Sequence, residues 1–436
     1  MAIIPQISFF EWENDIEILG DLERLKLVLD NLPDEKLIRA MERDRGNGRD
    51  DYPVREMWNG FLAGMVFQHK SIASLLRELN RNVQLRYICG FTAIDKVPQK
   101  HNYTRFLKLL LRHQRELDEI FQVLVKSLME ELPEFGERLA IDSKYIQSFA
   151  NRKNKNTKQD GRRDTDADIG MKTYHGVHPD GTLWEKVVKC FGYKFHIVVD
   201  SKYELPAAYE VTKASASDVV EGHALIEKLK GEQPELIKKC KYISGDKGYD
   251  DTKFITKLDS EAYGIKPVID KRKMWKGESE KQVPGYSNVY YNEQSEAFCY
   301  DPKTGRKRTM SCNGYEKERD CIRKKCPAKA YGVKCAGCDQ CPARGGVRIP
   351  LSLDRRIFTV VDRSSYKWKT EYKHRTAVER VNSRLDVSLG FENHTIRGKD
   401  KMVMRCSTAL ILMLTMALGR IRQKNPELMR STVRCA

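Results

Sequence analysis

Leucines at positions 22, 25, 29 and 32 recur at three- and four-residue spacing, which predicts an amphipathic helix over residues 21–32. The same period runs through residues 57–67 and 72–79, and residues 106–128 predict one longer helix. Between them, residues 89–106 form a turn-rich connector that ends in a helix start at Thr104 and Arg105. The chain up to residue 132 therefore predicts an all-helical N-terminal domain. After Arg138 the rhythm becomes that of strands, at residues 139–141, 193–200, 206–212, 242–245 and 265–269. A helix is predicted over residues 218–230, and a shorter one from Asp251.

The order strand, strand, strand, helix, strand, helix, strand predicts an α/β domain with a ribonuclease-H-like mixed sheet and helices on both faces. Its first part spans residues 136–269. A basic, cysteine-rich insertion at 270–367 interrupts it, helices at 368–425 complete it, and 426–436 form a tail. In this layout Asp142 and Asp246 end neighbouring central strands. Carboxylates at the ends of buried strands are costly unless they are paired or bind a cation. A third acid comes from EYKHRTAVERVNSRLD, residues 371–386. Laid on a helix, this stretch puts Tyr372, Arg375 and Glu379 at i, i+3 and i+7 on one face. Alone, such a face also suits a solvated charged helix. Together, Asp142, Asp246 and Glu379 are an all-oxygen set suited to two Mg²⁺ (or Mn²⁺) ions, which predicts a two-metal phosphoryl-transfer site with Asp142 bridging.

Charge extends the picture. The chain has 78 lysines and arginines against 61 acidic residues, a net charge of +17 over 436 residues, and a surplus of that size favours a polyanionic partner. No basic region opens the N-terminus, so no secretory signal is expected. The apolar run at 406–419 falls short of the roughly 20 residues that a bilayer needs, so the expectation is a cytoplasmic protein without a membrane span. Lys70, Arg77, Arg81, Arg86, Lys100 and Arg105 suit a helix-turn-helix reader of double-stranded DNA, and a plain helical bundle suits them as well. The loop at 151–163 brings Arg152, Lys153 and Lys155 towards the candidate site as phosphate contacts, or stays solvated.

Seven of the chain's 12 cysteines lie in the insertion, and CAGCDQC has CxxCxxC spacing. A structural Zn²⁺ would take Cys335, Cys338 and Cys341, with Cys326 the preferred fourth ligand ahead of Cys312 or Cys321. An iron–sulfur cluster and unligated thiols are the other readings. Trp275 and Trp368 bracket the insertion and suit either core packing or stacking on an unpaired base. His196 reads as a core histidine, Asp164, Asp166 and Asp168 as a turn, Asp218 as a helix cap, and Glu371 and His374 as facing away from the signature face.

These motifs resemble bacterial insertion-sequence transposases of the DDE type with a Tyr-x2-Arg-x3-Glu-x6-Lys signature. Tyr372, Arg375 and Glu379 match its first three positions, and Asp386 stands where that family has Lys. Residues 69–106 are similar to the family's N-terminal module, GDKGYDD around Asp246 to its second-aspartate block, and GYKFHIVVD to its second strand. A cysteine-rich insertion recurs in one branch. The resemblance implies an enzyme that binds the terminal inverted repeats of its own element, cleaves phosphodiesters with divalent metal and transfers strands as a homodimer or larger assembly. Asp142, Asp246 and Glu379 would hold the ions, and Tyr372 and Arg375 would orient the scissile strand. Arg384, Arg397 or Lys399 would supply the cation displaced by Asp386. A nuclease, or an inactive DNA-binding relative without strand transfer, is the alternative that Asp386 leaves open.

Overall fold

Strand β1 (Arg138–Gln147) lies at the centre of a six-stranded mixed sheet, described here from a computed structural model that covers residues 20–46, 52–91, 97–150, 164–277 and 279–432. On one side β1 pairs antiparallel with β3 (Leu183–Asp200), and β3 pairs with both β2 (Asp168–Val177) and β4 (Leu205–Lys213). On its other side β1 runs parallel to β5 (Tyr242–Gly245), which pairs in turn with β6 (Lys266–Ile269). Leu139, Ala140 and Ile141 of β1 and Phe195, Ile197, Val198 and Val199 of β3 are buried. Each large apolar side chain so buried contributes about 1.5–3 kcal/mol.

Three features of the sheet differ from the sequence expectation. First, β1 continues to Gln147, so Asp142 sits within the strand and not at its end. Ser143, Lys144 and Tyr145 are held by charged and polar partners, so no apolar alternation marks the extension. Second, the strand expected at 193–200 begins at Leu183, and β2 pairs along its added half. Leu183, Val187, Met171 and Val177 are exposed on this two-stranded arm, which hides it from a pattern reading built on burial. Third, a short helix, Pro234–Lys239, precedes β5. The loop at 151–163, with Arg152, Lys153 and Lys155, lies outside the described residues.

The N-terminal helices are Glu23–Asn31, Glu35–Arg45, Val54–Val66, Ile72–Arg81, Val83–Ile88, Lys100–Arg112 and Gln114–Glu131. The single helix expected over 106–128 is therefore two. They break at His113, whose backbone (φ −107°, ψ 31°) leaves the helix and whose Nε2 lies 3.2 Å from Asp44, beside the Arg112–Asp44 ion pair. A tertiary contact overrides local propensity there.

The C-terminal helix Lys399–Arg422 joins the two halves. It is buried almost continuously from Met402 to Gly419 and packs on helices Glu23–Asn31 and Gln114–Glu131 and on β4. It is longer than the apolar run in the sequence and long and apolar enough to cross a bilayer, but 94% of its apolar window is buried inside the protein. One apolar core thus runs from the N-terminal helices through the sheet, and the boundary near residue 132 marks a change of element type within it.

The insertion has a separate core built on Val289, Tyr291, Ile322, Ile349 and Phe358. It contains a four-stranded and a three-stranded antiparallel sheet. Arg356, held within the insertion by Glu293 at 3.3 Å, fastens it to the main domain by reaching Asp250 at 3.1 Å, and Arg355 pairs with Asp259 at 3.2 Å. Trp275 packs edge-on against Tyr291 within this lobe.

Candidate active site

The parallel register of β1 and β5 decides where two acids stand. Ile141 is paired with Gly245, so Asp142 and Asp246 each lie one residue beyond the same rung of adjacent strands, which run about 4.8 Å apart. The Asp246 side chain turns back to accept from Gly248 N at 2.7 Å, and Asp142 accepts from Ser143 N at 2.7 Å. Burial, then the charge of Asp246, pushes the Asp142 carboxyl up to about 6.

The signature stretch is helix Tyr366–Tyr372, a 3₁₀ turn Lys373–Arg375, and helix Thr376–Leu389. The turn interrupts the continuous helix expected over 371–386, yet the three signature side chains stay in series. The Arg375 guanidinium lies 5.9 Å from the Tyr372 ring centre, bonds Glu379 Oε1 at 2.7 Å and approaches Asp142 Oδ2 at 3.6 Å. Tyr372 stacks on Trp368 with ring centres 4.7 Å apart, which fixes Trp368 as packing for the signature. Burial, then the charge of Asp270, raises the Tyr372 phenol to about 12. Glu371 bonds Arg138 at 3.1 Å, away from the signature side chains.

Among the described residues, no group of three or more His, Cys, Asp or Glu side chains converges to hold a metal ion. In the carboxylate site Arg375 stands between two of the acids, 3.6 Å from Asp142 and 2.7 Å from Glu379. The donor set is nevertheless chemically suited to a hard cation: all oxygen, with Asp142 disfavoured as an anion until a positive charge arrives.

Ser143, the next residue along β1, opens a second polar cluster that the sequence did not announce and that adjoins the Asp246 turn at Gly248. Asp218 was expected to cap its helix, but its Oδ1 accepts from Ser143 Oγ at 2.6 Å and from Lys194 Nζ at 3.2 Å. Burial works against its charge, but the Ser143 bond and the Lys194 charge hold it below the ordinary carboxylate range. His196 is fully buried there with Nε2 3.0 Å from Thr212, and burial lowers it to about 4, so the core-histidine reading fits. The turn expected at Asp164, Asp166 and Asp168 is present, with Asp164 Oδ1 accepting from Asp166 N at 3.2 Å and Ala167 N at 3.1 Å, and the three carboxylates also tie elements together by accepting from Tyr193, Lys399 N and Ser215 N respectively.

Two expected contacts lie elsewhere. Arg384 turns from the signature face to the Glu204 and Arg430 carbonyl oxygens, and burial brings it down to about 10. Asp386 faces β1 and receives Lys144 Nζ at 2.7 and 2.6 Å on its two oxygens; Glu392 takes the same ammonium at 2.8 Å. In the insertion, Cys326, Cys335, Cys338 and Cys341 do not close into a ligand set. Cys341 accepts from Asn288 at 3.2 Å, and Asp301 binds the backbone N–H groups of Ala336 and Gly337 in the CxxCxxC loop. The Cys299 thiol, which the motif spacing missed, is raised to about 11 by burial and then by Cys326, Cys341 and Cys335.

Two family models match the chain: "Transposase DDE domain" over residues 133–415, and "Transposase domain (DUF772)" over residues 11–109. They place it among the nuclease and transposase enzymes. The chain belongs to the DDE-domain transposases, and its activity is that of a DNA transposase. DDE transposase domains use divalent metal ions. Among solved structures, the chain is similar to one described as "Cryo-EM structure of piggyBac transposase synaptic complex with hairpin DNA", at 11% identity and a TM-score of 0.37 over 95% of this chain and 79% of that one. A search of curated proteins finds no match.

Proposed function

We propose that this transposase binds the terminal inverted repeats of its own element as a homodimer or larger assembly in the cytoplasm, cleaves the phosphodiester at each end and joins the freed 3′-OH to target DNA. The observation that carries this reading is the rung shared by Asp142 and Asp246, with Glu379 brought to them through Arg375. The sheet order β4-β3-β1-β5-β6 supports a ribonuclease-H-like core, because it keeps the acid-bearing strands adjacent at its centre.

Asp142, Asp246 and Glu379 would hold two Mg²⁺ or Mn²⁺ ions, which supply Lewis acidity at the scissile phosphate and lower the pKa of the attacking water. Arg375 leaves Glu379 for the scissile phosphate, whose two non-bridging oxygens suit a guanidinium as a carboxylate does. Tyr372, braced by Trp368, orients the same strand. A 3′-OH fits where the water stood, so one set of side chains serves both cleavage and joining.

The test uses pre-cut ends carrying a 3′-OH and a supercoiled target. Wild type joins them with Mg²⁺, and Asp142→Asn, Asp246→Asn and Glu379→Gln each lose joining while still binding DNA. Joining that survives these changes refutes the site. Asp386, in place of the signature lysine, favours a second reading, a nuclease that cuts without joining; cleavage with no joined product would establish it. In the insertion, a structural Zn²⁺ on Cys326, Cys335, Cys338 and Cys341 rests on the CxxCxxC spacing. Metal analysis showing zinc bound to purified protein supports that part, and metal-free protein of unchanged stability removes it.

A further inference from the structure

A cavity of about 510 Å³ lies where the N-terminal helices meet the loop that follows the signature helix. Its floor is apolar, formed by Phe61, Leu75 and Met404, and its rim carries Lys70, Lys100, Lys108, Arg397 and Lys401. No aspartate or glutamate lines it. The four rim lysines are exposed and have no ion-pair partner among the described residues. One wall holds a further cation, Arg405, 8% exposed, whose Nε donates to Phe391 O at 3.0 Å and whose Nη1 meets the Met65 sulfur at 3.4 Å. Its remaining nitrogen, Nη2, donates to the Gly390 and Asn393 carbonyl oxygens, so the guanidinium is held by the backbone and adds positive charge to this wall with no carboxylate beside it. Neighbouring His394 adds no negative charge, and burial, then Arg405, lowers its pKa to about 4.

We propose that this cavity binds the phosphodiester backbone of the DNA whose end is held at Asp142, several base pairs inside that end. The inference rests on the transposase reading and adds a phosphate site to it. Continuity supports a DNA occupant over a free anion. The cavity loop follows directly from the helix bearing Glu379, and Ile396 O accepts from Phe149 N, seven residues along the chain from Asp142. Five of those seven residues are strand, so at about 3.3 Å per strand residue the separation is at most roughly 23 Å. Since each DNA strand has one phosphate per about 3.4 Å of axis, the contact falls within roughly seven base pairs of the cleaved bond.

The experiment compares full-length wild type with the triple variant Lys70→Ala, Lys108→Ala, Lys401→Ala in binding a short labelled DNA duplex across a salt series. These side chains are exposed, and unchanged thermal melting verifies the fold. Each lost phosphate contact lowers the slope of log K against log salt by about 0.9, so the slope should fall by roughly 2–3. Matched changes at Lys126, Lys238 and Lys253 should leave it nearly unchanged. An unaltered slope, or an equal fall in the matched control, overturns the proposal. So does a triple variant that loses pyrophosphate binding while keeping the DNA slope, since the cavity would then be a small-anion site. Failure of wild type to bind DNA at all would instead sink the transposase reading.

Discussion

The contact between Lys144 and Asp386 makes a demanding prediction, because it joins the two elements that carry Asp142 and Glu379. Lys144 shares a strand face with Asp142, about 6.6 Å along β1. Asp386 lies seven residues beyond Glu379, about 10.5 Å along its helix. The ammonium sits 2.7 and 2.6 Å from the Asp386 oxygens and 2.8 Å from Glu392, with side-chain exposures of 15% for Lys144, 35% for Asp386 and 55% for Glu392. Removing one member of a fully buried pair costs about 3–5 kcal/mol, and partial exposure reduces this to about 1–2 kcal/mol here. Lys144→Met should cost more than Asp386→Asn, because it leaves two carboxylates facing each other. The catalytic effect should be larger than the stability effect, since a 1 Å displacement of Glu379 from Asp142 costs about 100-fold in rate. The assays are thermal melting and joining of pre-cut ends in Mg²⁺. The decisive variant is the exchange Lys144→Asp with Asp386→Lys, which restores the signature lysine and should recover most of the joining lost in either single change. Full joining by Asp386→Asn, or an exchange no better than the single changes, would refute the idea that this tie sets the spacing of the acids.

Three further outcomes follow from the same structure. Asp142 is raised from the usual 3.8 to about 6, so without metal its contribution to stability is intact below about pH 4 and is lost as pH rises through 6, by at most about 3 kcal/mol. Mg²⁺ should therefore raise the melting temperature little at about pH 5 and clearly above pH 6, and equal shifts at both would show that Asp142 is not a ligand. Lys324 is fully buried 2.6 Å from Asp362, so Lys324→Met should destabilise the insertion by about 3–5 kcal/mol and expose it to limited proteolysis, while Arg323→Met at the surface costs under about 1 kcal/mol. Arg384→Ala should lower the melting temperature and leave the salt slope of DNA binding untouched, because its bonds go to Glu204 and Arg430; a slope reduced by about 0.9 would return Arg384 to the phosphate contacts.

What was legible in the sequence, and what was not, divides along a physical line. Residues 242–245 and 206–212 were readable as strands, since both lie where burial imposes an apolar run. The order of those runs correctly put Asp142 and Asp246 on adjacent strands. The far half of β1 was not readable, because its inward positions are filled by polar groups satisfied from other elements: Ser143 by Asp218, Lys144 by Asp386. The break at His113 depends on Asp44, 69 residues away, and no local window contains that pair. Charge was harder still. Arg384 and Asp386 lie two residues apart on one helix, yet one turns to Glu204 and the other to β1, and the helical period alone says nothing about which neighbour each will meet. Asp386 looked like a lost phosphate contact because the signature was considered on its helix alone. With β1 in view, Asp386 is the partner of Lys144, on the strand that carries Asp142. The charge at position 386 is therefore balanced by two elements packed together, and its effect has to be judged against β1 as well as along its own helix.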